Sequence, residues 1–477
     1  MSDEMAMVVE PGVDRLDAAT EIQSVERGSR RLLSPELRAT NRRVLGLAVP
    51  VIGENLLETL LGIVDTLLVA GLGTGAIAGV GSGQQLMFFL LAALSGLSIG
   101  SSIVIAQAVG AQEPARAGRF ARQSLLWSAI ISVPLALLGV GFAHPIVGIF
   151  GMAPEVARIG AAYFQVTMGT SVVLVALIIG GGVLRGAGDA RTPMLVTGFA
   201  NLLNVALAYG LIFGHWGLPA LGAVGSAWAT FIARAAALLV LLRVLWTGRN
   251  GVTIRGGGRW WPEWQVARQI LALGIPSAVE QILMASAFTV LTILVAHLGT
   301  DALAAQRIAM SVLSASYLPA IGFGVAATTL VGHSVGARRL AEARGAARVA
   351  AFWALGLMCV NAVGLLLFAG PLVRLFTSDP VVIQIGTLAV LVVGLFLPGD
   401  SIGIVLAGAL RGTGDTRYPL IVSSSGMWLA VLAAWPVVTW LGGGLPGAWA
   451  PFVVIVPISS VLIWRHFHRR IRSLETA

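Results

Sequence analysis

Long apolar stretches, separated by short clusters of Gly, Pro and charged residues, dominate the chain. Each stretch is continuously apolar, and about 20 such residues cross a bilayer as a helix. Transmembrane β-barrels are excluded, because their strands alternate between apolar and polar positions. The pattern therefore predicts an all-α polytopic membrane protein of twelve transmembrane helices. The predicted spans lie near residues 44–70, 81–108, 122–143, 160–184, 193–214, 219–246, 266–297, 303–333, 346–370, 381–410, 418–441 and 445–466.

The chain contains two copies of one unit, displaced from each other by a constant offset. The turn from Leu184 to Pro193 reads LRGAGDARTP, and the turn from Leu410 to Pro419 reads LRGTGDTRYP; we call them the twin turns. At the same offset, Glu54 matches Glu280. Repetition on this scale indicates a duplicated structural unit. Because each unit has an even number of spans, we expect two six-helix lobes related by a pseudo-twofold axis along the membrane normal, with a cleft between them.

The distribution of arginine predicts how the chain is oriented. Arginines cluster in the basic N-terminal segment, in the loops after the even-numbered spans and at the C-terminus, whereas the intervening loops carry only Arg158, Arg307 and Arg374. Positive loops stay in the cytoplasm, so we expect both termini inside and the protein in the plasma (inner) membrane. The predicted parts are a disordered, basic cytoplasmic tail (1–43), an N-lobe (44–246), a cytoplasmic linker in the headgroup region (247–265), a C-lobe (266–466) and a cytoplasmic tail (467–477).

The composition excludes several classes of protein. Charged residues make up 11% of the chain, against about 25% in a soluble domain. All 31 basic residues are arginine, so the lysine of a Walker A phosphate loop is absent and a fused ATPase is excluded. Cys359 is the single cysteine, which rules out an internal disulfide and a Cys-based metal site. The net charge of +9 does not indicate a nucleic-acid partner, because the arginines flank the membrane spans.

Three carboxylates lie within the first predicted span. Glu54, Glu58 and Asp65 fall within about 40° of one another on a helix with 100° per residue, so they form one acidic stripe. Ionisable residues inside a membrane are costly and point to function, so the stripe is expected to line a cavity or meet basic partners. Arg234 in the sixth span could pair with one carboxylate and fix helix packing, or extend toward the helix end.

Two further acids lie in the second unit. Glu280 in the seventh span is the repeat equivalent of Glu54, and Asp400 follows Pro398-Gly399, a pair expected to bend the tenth span and free backbone carbonyls. Asp65, Glu280 and Asp400 are the predicted cation-coupling residues, which would exchange a proton or bind Na⁺. No other metal site is predicted. The polar residues predicted to line the cavity, besides Glu54 and Glu58, are Asn201, Asn204, Gln84 and Gln281, for each of which interhelical hydrogen bonding is an equal alternative.

The twin turns, the Val64-Asp65-Thr66 segment, and Leu298-Gly299-Thr300 before Ala302-Leu303-Ala304-Ala305 resemble the multidrug and toxic compound extrusion (MATE) family. The resemblance covers about residues 44 to 466. It implies a twelve-span, two-lobed exporter that exchanges cationic or amphipathic compounds for H⁺ or Na⁺, with substrate in a cleft between the lobes.

Some site residues follow from the resemblance. Asp65 matches the first-span aspartate of the family, and Asp400, eleven residues before Arg411, has the spacing of the tenth-span acid of sodium-linked members. Glu280 resembles the seventh-span glutamate, about one turn earlier than in some branches. Asn204 matches an asparagine that in one branch partners an aspartate four residues later, where this chain has Ala208.

The expected function is therefore secondary active efflux by alternating access of the two lobes, without enzymatic activity and without a cofactor other than H⁺ or Na⁺ as coupling ion. The expected partners are small organic cations or amphipathic compounds and the lipid bilayer, and we expect a monomer. One alternative is a flippase for lipid-linked precursors of the related superfamily, whose anionic substrates require a basic cavity. Another is a membrane scaffold or receptor, which would not need buried acids.

Overall fold

A computed structural model describes residues 35–149, 151–256 and 260–476, and these residues are almost entirely helical. The first unit contains α1 (Pro35–Ala70), α2 (Thr74–Gly110), α3 (Pro114–Gly141), α4 (Ala143–Gly148), α5 (Pro154–Gly169), α6 (Ser171–Gly186), α7 (Arg191–Phe213) and α8 (Ala223–Thr247). The second contains α9 (Trp264–Ala296), α10 (Thr300–Gly336), α11 (Leu340–Arg374), α12 (Pro380–Gly412), α13 (Arg417–Thr439) and α14 (Gly444–Glu475).

The helices have the length and composition that a bilayer requires. Ten of those in the described ranges are long and apolar enough to cross a membrane, and the bent pair α5–α6 makes an eleventh span. The remaining long helix, α2, has 37 residues, which is about 55 Å at 1.5 Å per residue. The prediction of twelve transmembrane helices in a multi-pass membrane protein is thus confirmed.

Helix bounds differ from the predicted spans at both ends of the chain. α1 begins at Pro35, ahead of the predicted start at residue 44, and α14 extends to Glu475, beyond residue 466. The part of the predicted disordered tail that precedes Pro35 lies outside the described residues. The lobe boundaries at 44–246 and 266–466 stay predictions.

The broken span lies in the first unit, whereas its equivalent in the second unit is one continuous helix. α5 and α6 meet at 50° next to Gly169 and Thr170. α12, its repeat equivalent, is helical throughout Pro398. The carbonyl of Pro398 accepts a hydrogen bond of 2.7 Å from the Ser401 hydroxyl. A local side-chain donor therefore satisfies the carbonyl within the helix.

Small residues allow the two units to pack closely. A Cβ atom built on Gly96 of α2 would lie 2.5 Å from the carbonyl oxygen of Gly274 in α9, and one built on Gly322 of α10 would lie 3.0 Å from that of Ala48 in α1. Gly96 and Gly322 are repeat equivalents. Close helix approach at small residues is the usual packing mode in membranes, where no hydrophobic effect drives helices together.

The linker between the units packs on the first of them. Val252 and Ile254 are buried, and the side-chain amide of Gln123 on α3 donates to the carbonyl of Trp261 at 2.7 Å and accepts from the backbone N–H of Glu263 at 2.9 Å. Trp260, Trp261 and Trp264 are exposed. Exposed tryptophans beside arginines suit a bilayer interface, so the headgroup location stays the prediction for this linker.

Candidate transport site

The twin turns are capped by their own aspartates. In the first turn the Asp189 carboxylate accepts from the backbone N–H groups of Arg191 and Thr192 at 3.1 and 3.0 Å, from the Thr192 hydroxyl at 2.6 Å and from Arg249 at 3.1 Å. In the second, Asp415 accepts from the backbone N–H of Tyr418 at 3.1 Å. Each aspartate thereby caps the helix that follows it.

The cap makes a testable contribution to stability. Burial raises the pKa of the Asp189 carboxyl, but hydrogen bonds from Thr192 and Arg249 outweigh this and leave the pKa below its ordinary value of 3.8. A depressed pKa stabilises the fold above pH 3.8, and the contribution is lost as the pH falls through the folded-state pKa. Asp189→Asn should lower stability by about 1–2 kcal/mol at pH 7, measured by thermal unfolding. A difference that does not shrink as the pH falls below 3.8 would contradict this origin.

Each twin turn also supplies an arginine to an acid deep in its own unit. Arg185 donates to both carboxylate oxygens of Glu54 at 2.9 Å, and Arg411 donates to Glu280 at 2.8 Å. Both pairs join residues 131 positions apart, so they are the same contact in the two halves of the repeat. Glu54 and Glu280, predicted from the sequence to line the cavity and to bind the coupling cation, are each neutralised by an arginine.

Asp65 lies in a polar pocket of the first unit. It is 8% exposed; its Oδ1 accepts from the hydroxyl of Ser226 on α8, and its Oδ2 lies 3.4 Å from the side-chain amide of Gln84 on α2. Sequence reasoning included Gln84 but missed Ser226, because one serine in an apolar span carries no signal of its partner.

Glu58 and Arg234 complete the polar interior of this unit. The Glu58 side chain is exposed. Arg234 on α8 interacts electrostatically with Glu58, Asp65 and Tyr163, although no salt bridge joins it to them within the described residues. It lines a cavity of about 10 Å³ with the threonines Thr167, Thr170 and Thr230. A space of this size holds about one water molecule.

The predicted polar lining residues differ in their surroundings. Asn201 donates to the carbonyl of Leu57 at 2.7 Å, and Asn204 donates to the Thr230 hydroxyl at 2.9 Å, so both tie helices of the first unit together. Gln281 is exposed. Ala208, where one MATE branch has an aspartate, is fully buried among apolar residues.

Asp400 occupies a separate pocket in the second unit. Its Oδ2 accepts a hydrogen bond of 2.6 Å from the hydroxyl of Tyr317 on α10, and no salt bridge reaches it from the described part of the chain. Tyr317 was not predicted, since a lone tyrosine in a span is usually packing. The two pockets are not repeat equivalents: Leu291 stands at the position of Asp65 and Leu174 at that of Asp400, and both leucines are buried.

The family model for MatE matches residues 50–210 and again residues 276–435. The two matches begin at Pro50 and Pro276, which are equivalent positions of the internal repeat. The chain belongs to the MatE family. The MATE resemblance stated from the sequence is thereby confirmed, and each half of the duplication carries one copy of the family unit.

Relatives cover nearly the whole MATE chain. A probable multidrug resistance protein NorM from Thermotoga maritima is 34% identical over 437 residues, which span 90% of this chain and 91% of that one. The multidrug resistance protein PmpM from Pseudomonas aeruginosa is 28% identical and covers 82% of each chain. A solved multidrug resistance MATE family transporter of the MOP superfamily, in an outward-facing conformation, matches with a TM-score of 0.85 at 24% identity over 92% of this chain and 97% of its own. This chain therefore shares the two-lobed MATE fold over nearly its whole length.

Proposed function

We propose that this MATE protein exports cationic or amphipathic organic compounds in exchange for H⁺ or Na⁺. The observation that carries the proposal is the pair of carboxylates, Asp65 and Asp400, held by hydroxyl groups rather than by arginine. A membrane-embedded carboxylate that no salt bridge neutralises favours a proton, Na⁺ or an organic cation as its counter-charge. Competition among these ions for the same carboxylate couples export to the gradient.

The names of the relatives support this direction of transport. NorM of T. maritima and PmpM of P. aeruginosa are both named for multidrug resistance. Export of small organic compounds confers such resistance, and export is the activity proposed for this chain. A related MOP superfamily transporter from Pyrococcus furiosus has the same fold, with a TM-score of 0.84 at 23% identity, and is described by the reverse polarity of its binding pocket. Pocket charge, rather than fold, is thus the guide to substrate class.

Pocket charge in this chain favours a cation over the lipid-linked anion of a flippase. Arg185 and Arg411 are used by Glu54 and Glu280, which leaves Arg234 against both Glu58 and Asp65 in the first unit. The ion pairs also refine the proposed coupling set. Asp65 and Asp400 take the coupling cation, while Glu280 acts through Arg411 to hold α9 on the second twin turn.

The proposed cycle is alternating access. A coupling ion drives the exchange only if it binds one lobe arrangement more tightly than the other. By the positive-inside rule, the arginine-rich twin turns and both termini lie in the cytoplasm. The lobes meet at the twin turns in this structure, so the conformer described here is proposed to be outward-facing.

The test is efflux from proteoliposomes with an imposed pH or Na⁺ gradient and a panel of organic cations. Asp65→Asn and Asp400→Asn should each lower gradient-driven efflux by at least about tenfold, equivalent to about 1.4 kcal/mol of lost interaction. Asp301→Asn is the matched control, because Asp301 is an exposed carboxylate in the first turn of α10. If both buried variants export at the wild-type rate, the assignment of the coupling residues is wrong.

A further inference from the structure

The side chains of Gln107 and His333 each cross between the lobes at the twin turns. The amide nitrogen of Gln107 on α2 donates to the carbonyl of Gly412 in the second turn at 3.0 Å. The Nε2 atom of His333 on α10 lies 2.8 Å from the carbonyl of Gly186 in the first turn, and as the acceptor is a carbonyl, this nitrogen carries the proton. In each case the donor belongs to one lobe and the acceptor to the other.

The two contacts are one contact repeated by the duplication. Gln107 and His333 occupy equivalent positions of the repeat, and so do Gly186 and Gly412. Different side chains thus make the same reach from equivalent helix positions. An accidental polar contact would not recur on both sides of the pseudo-twofold axis with a different residue type. The structure therefore requires, at this position, a side-chain donor that reaches across the lobe boundary.

The twin turns are shaped to receive these side chains. Gly188 and Gly414, the second glycines of the turns, have φ of +84° and +88°, a conformation that side chains rarely adopt. A Cβ atom at Gly188 would lie 3.1 Å from the His333 ring, and one at Gly414 would lie 3.5 Å from the Gln107 amide. A third hydrogen bond, from the Thr329 hydroxyl to the carbonyl of Arg185 at 3.1 Å, crosses the boundary beside the first turn.

We propose that Gln107 and His333 are positioning residues that hold the lobes together at the twin turns, and that both hydrogen bonds break each time this end opens. The inference rests on the alternating access of the proposed function. These hydrogen bonds of both residues end on backbone carbonyls of the twin turns rather than on Asp65 or Asp400. The pair therefore acts on the balance between the open and closed arrangements rather than on ion or substrate binding.

The balance between the open and closed arrangements of the lobes can be measured without a transport assay. Thr329 is 1% exposed, so Thr329→Cys in a Cys359→Ser background reports opening through its rate of labelling by a soluble maleimide in detergent. Gln107→Ala and His333→Ala should each raise that rate about three- to tenfold, the range expected for one hydrogen bond, and the double variant should multiply the two effects. An unchanged rate in the double variant would overturn the proposal.

His333→Gln is the decisive control, because Gln107 already makes this contact from the equivalent position. The His333→Gln variant should be labelled at the same rate as the Thr329→Cys, Cys359→Ser protein. The His333→Asn variant has the amide group of glutamine on a shorter side chain, so it should be labelled as fast as His333→Ala. Equal rates for His333→Gln and His333→Ala would overturn the proposal. Asn variants at both positions serve if an Ala variant fails to fold.

Efflux separates this inference from the proposed function. Both proposals are supported if the Ala variants are labelled faster and export less, while His333→Gln keeps the labelling rate and the efflux of the protein without that substitution. Faster labelling in a protein that exports none of the cation panel supports the proposal that Gln107 and His333 hold the lobes together. The same result counts against the proposed export function. An Ala variant that loses efflux but is labelled at the rate of the Thr329→Cys, Cys359→Ser protein counts only against the proposal that Gln107 and His333 hold the lobes together.

Discussion

Glu280→Gln is expected to lower the free energy of unfolding by about 3–5 kcal/mol, the usual cost of leaving one member of a buried ion pair without its partner. The Glu280 side chain is 3% exposed and that of Arg411 is 16% exposed, so water cannot replace the lost carboxylate charge. The Nε atom of Arg411 is already buried without a hydrogen-bond partner among the described residues, which makes the remaining bond to Glu280 more important. Thermal or denaturant unfolding of the purified protein measures the loss.

The repeat supplies a matched comparison. Glu54→Gln breaks the equivalent pair, whose side chains are 12% and 18% exposed, and should cost less because water reaches it more easily. The double variant Glu280→Gln/Arg411→Gln should recover part of the loss, since it leaves no unpaired charge. If the double variant is no more stable than Glu280→Gln, the two residues do not act as a pair.

Gly336→Ala should abolish efflux almost completely, by about a hundredfold or more. A Cβ atom at Gly336 on α10 would lie 2.0 Å from the carbonyl oxygen of Gln107 on α2, and one at Gly110 would lie 2.0 Å from the carbonyl of His333. Both obstacles are backbone atoms of the opposite lobe, so a side chain cannot rotate away and the lobes must separate. Overpacking usually costs about 1–3 kcal/mol, and a clash with backbone stands at the upper end.

Gly110→Ala should behave in the same way, because it is the repeat equivalent of Gly336. Gly345→Ala, in α11, is the control: a Cβ atom there meets nothing within 4 Å, and alanine favours a helix. The expected signature is faster labelling at residue 329 together with lost efflux in the two boundary variants only. Wild-type efflux of Gly336→Ala would mean that the lobes never approach this closely during transport.

The sequence carried enough information for the architecture. Twelve apolar stretches and the internal repeat predict the helices and the lobes, because hydropathy and duplication are local or periodic signals. They did not reveal that Arg185 reaches Glu54 across 131 residues, although the identical spacing of Arg411 and Glu280 in the other half was a visible clue.

The site was only partly predictable, because its partners come from separate helices. Asp65 and Asp400 stood out as acids in apolar spans, but Ser226 and Tyr317, which hold them, are ordinary residues of such spans. The break at Thr170 was missed because no proline marks it, whereas the helix continues through Pro398, where the proline had predicted a bend. Packing around each residue, rather than its type, decided these outcomes.

The crossed contacts at the twin turns have a consequence for the origin of the molecule. An interface in which residue i of one half meets residue j of the other, and j meets i, is self-complementary in the manner of a twofold dimer. Two copies of a chain of half this length, inserted in the same direction, could form it without any further change. In a single chain the two positions are encoded separately, so position 107 can be glutamine while position 333 is histidine.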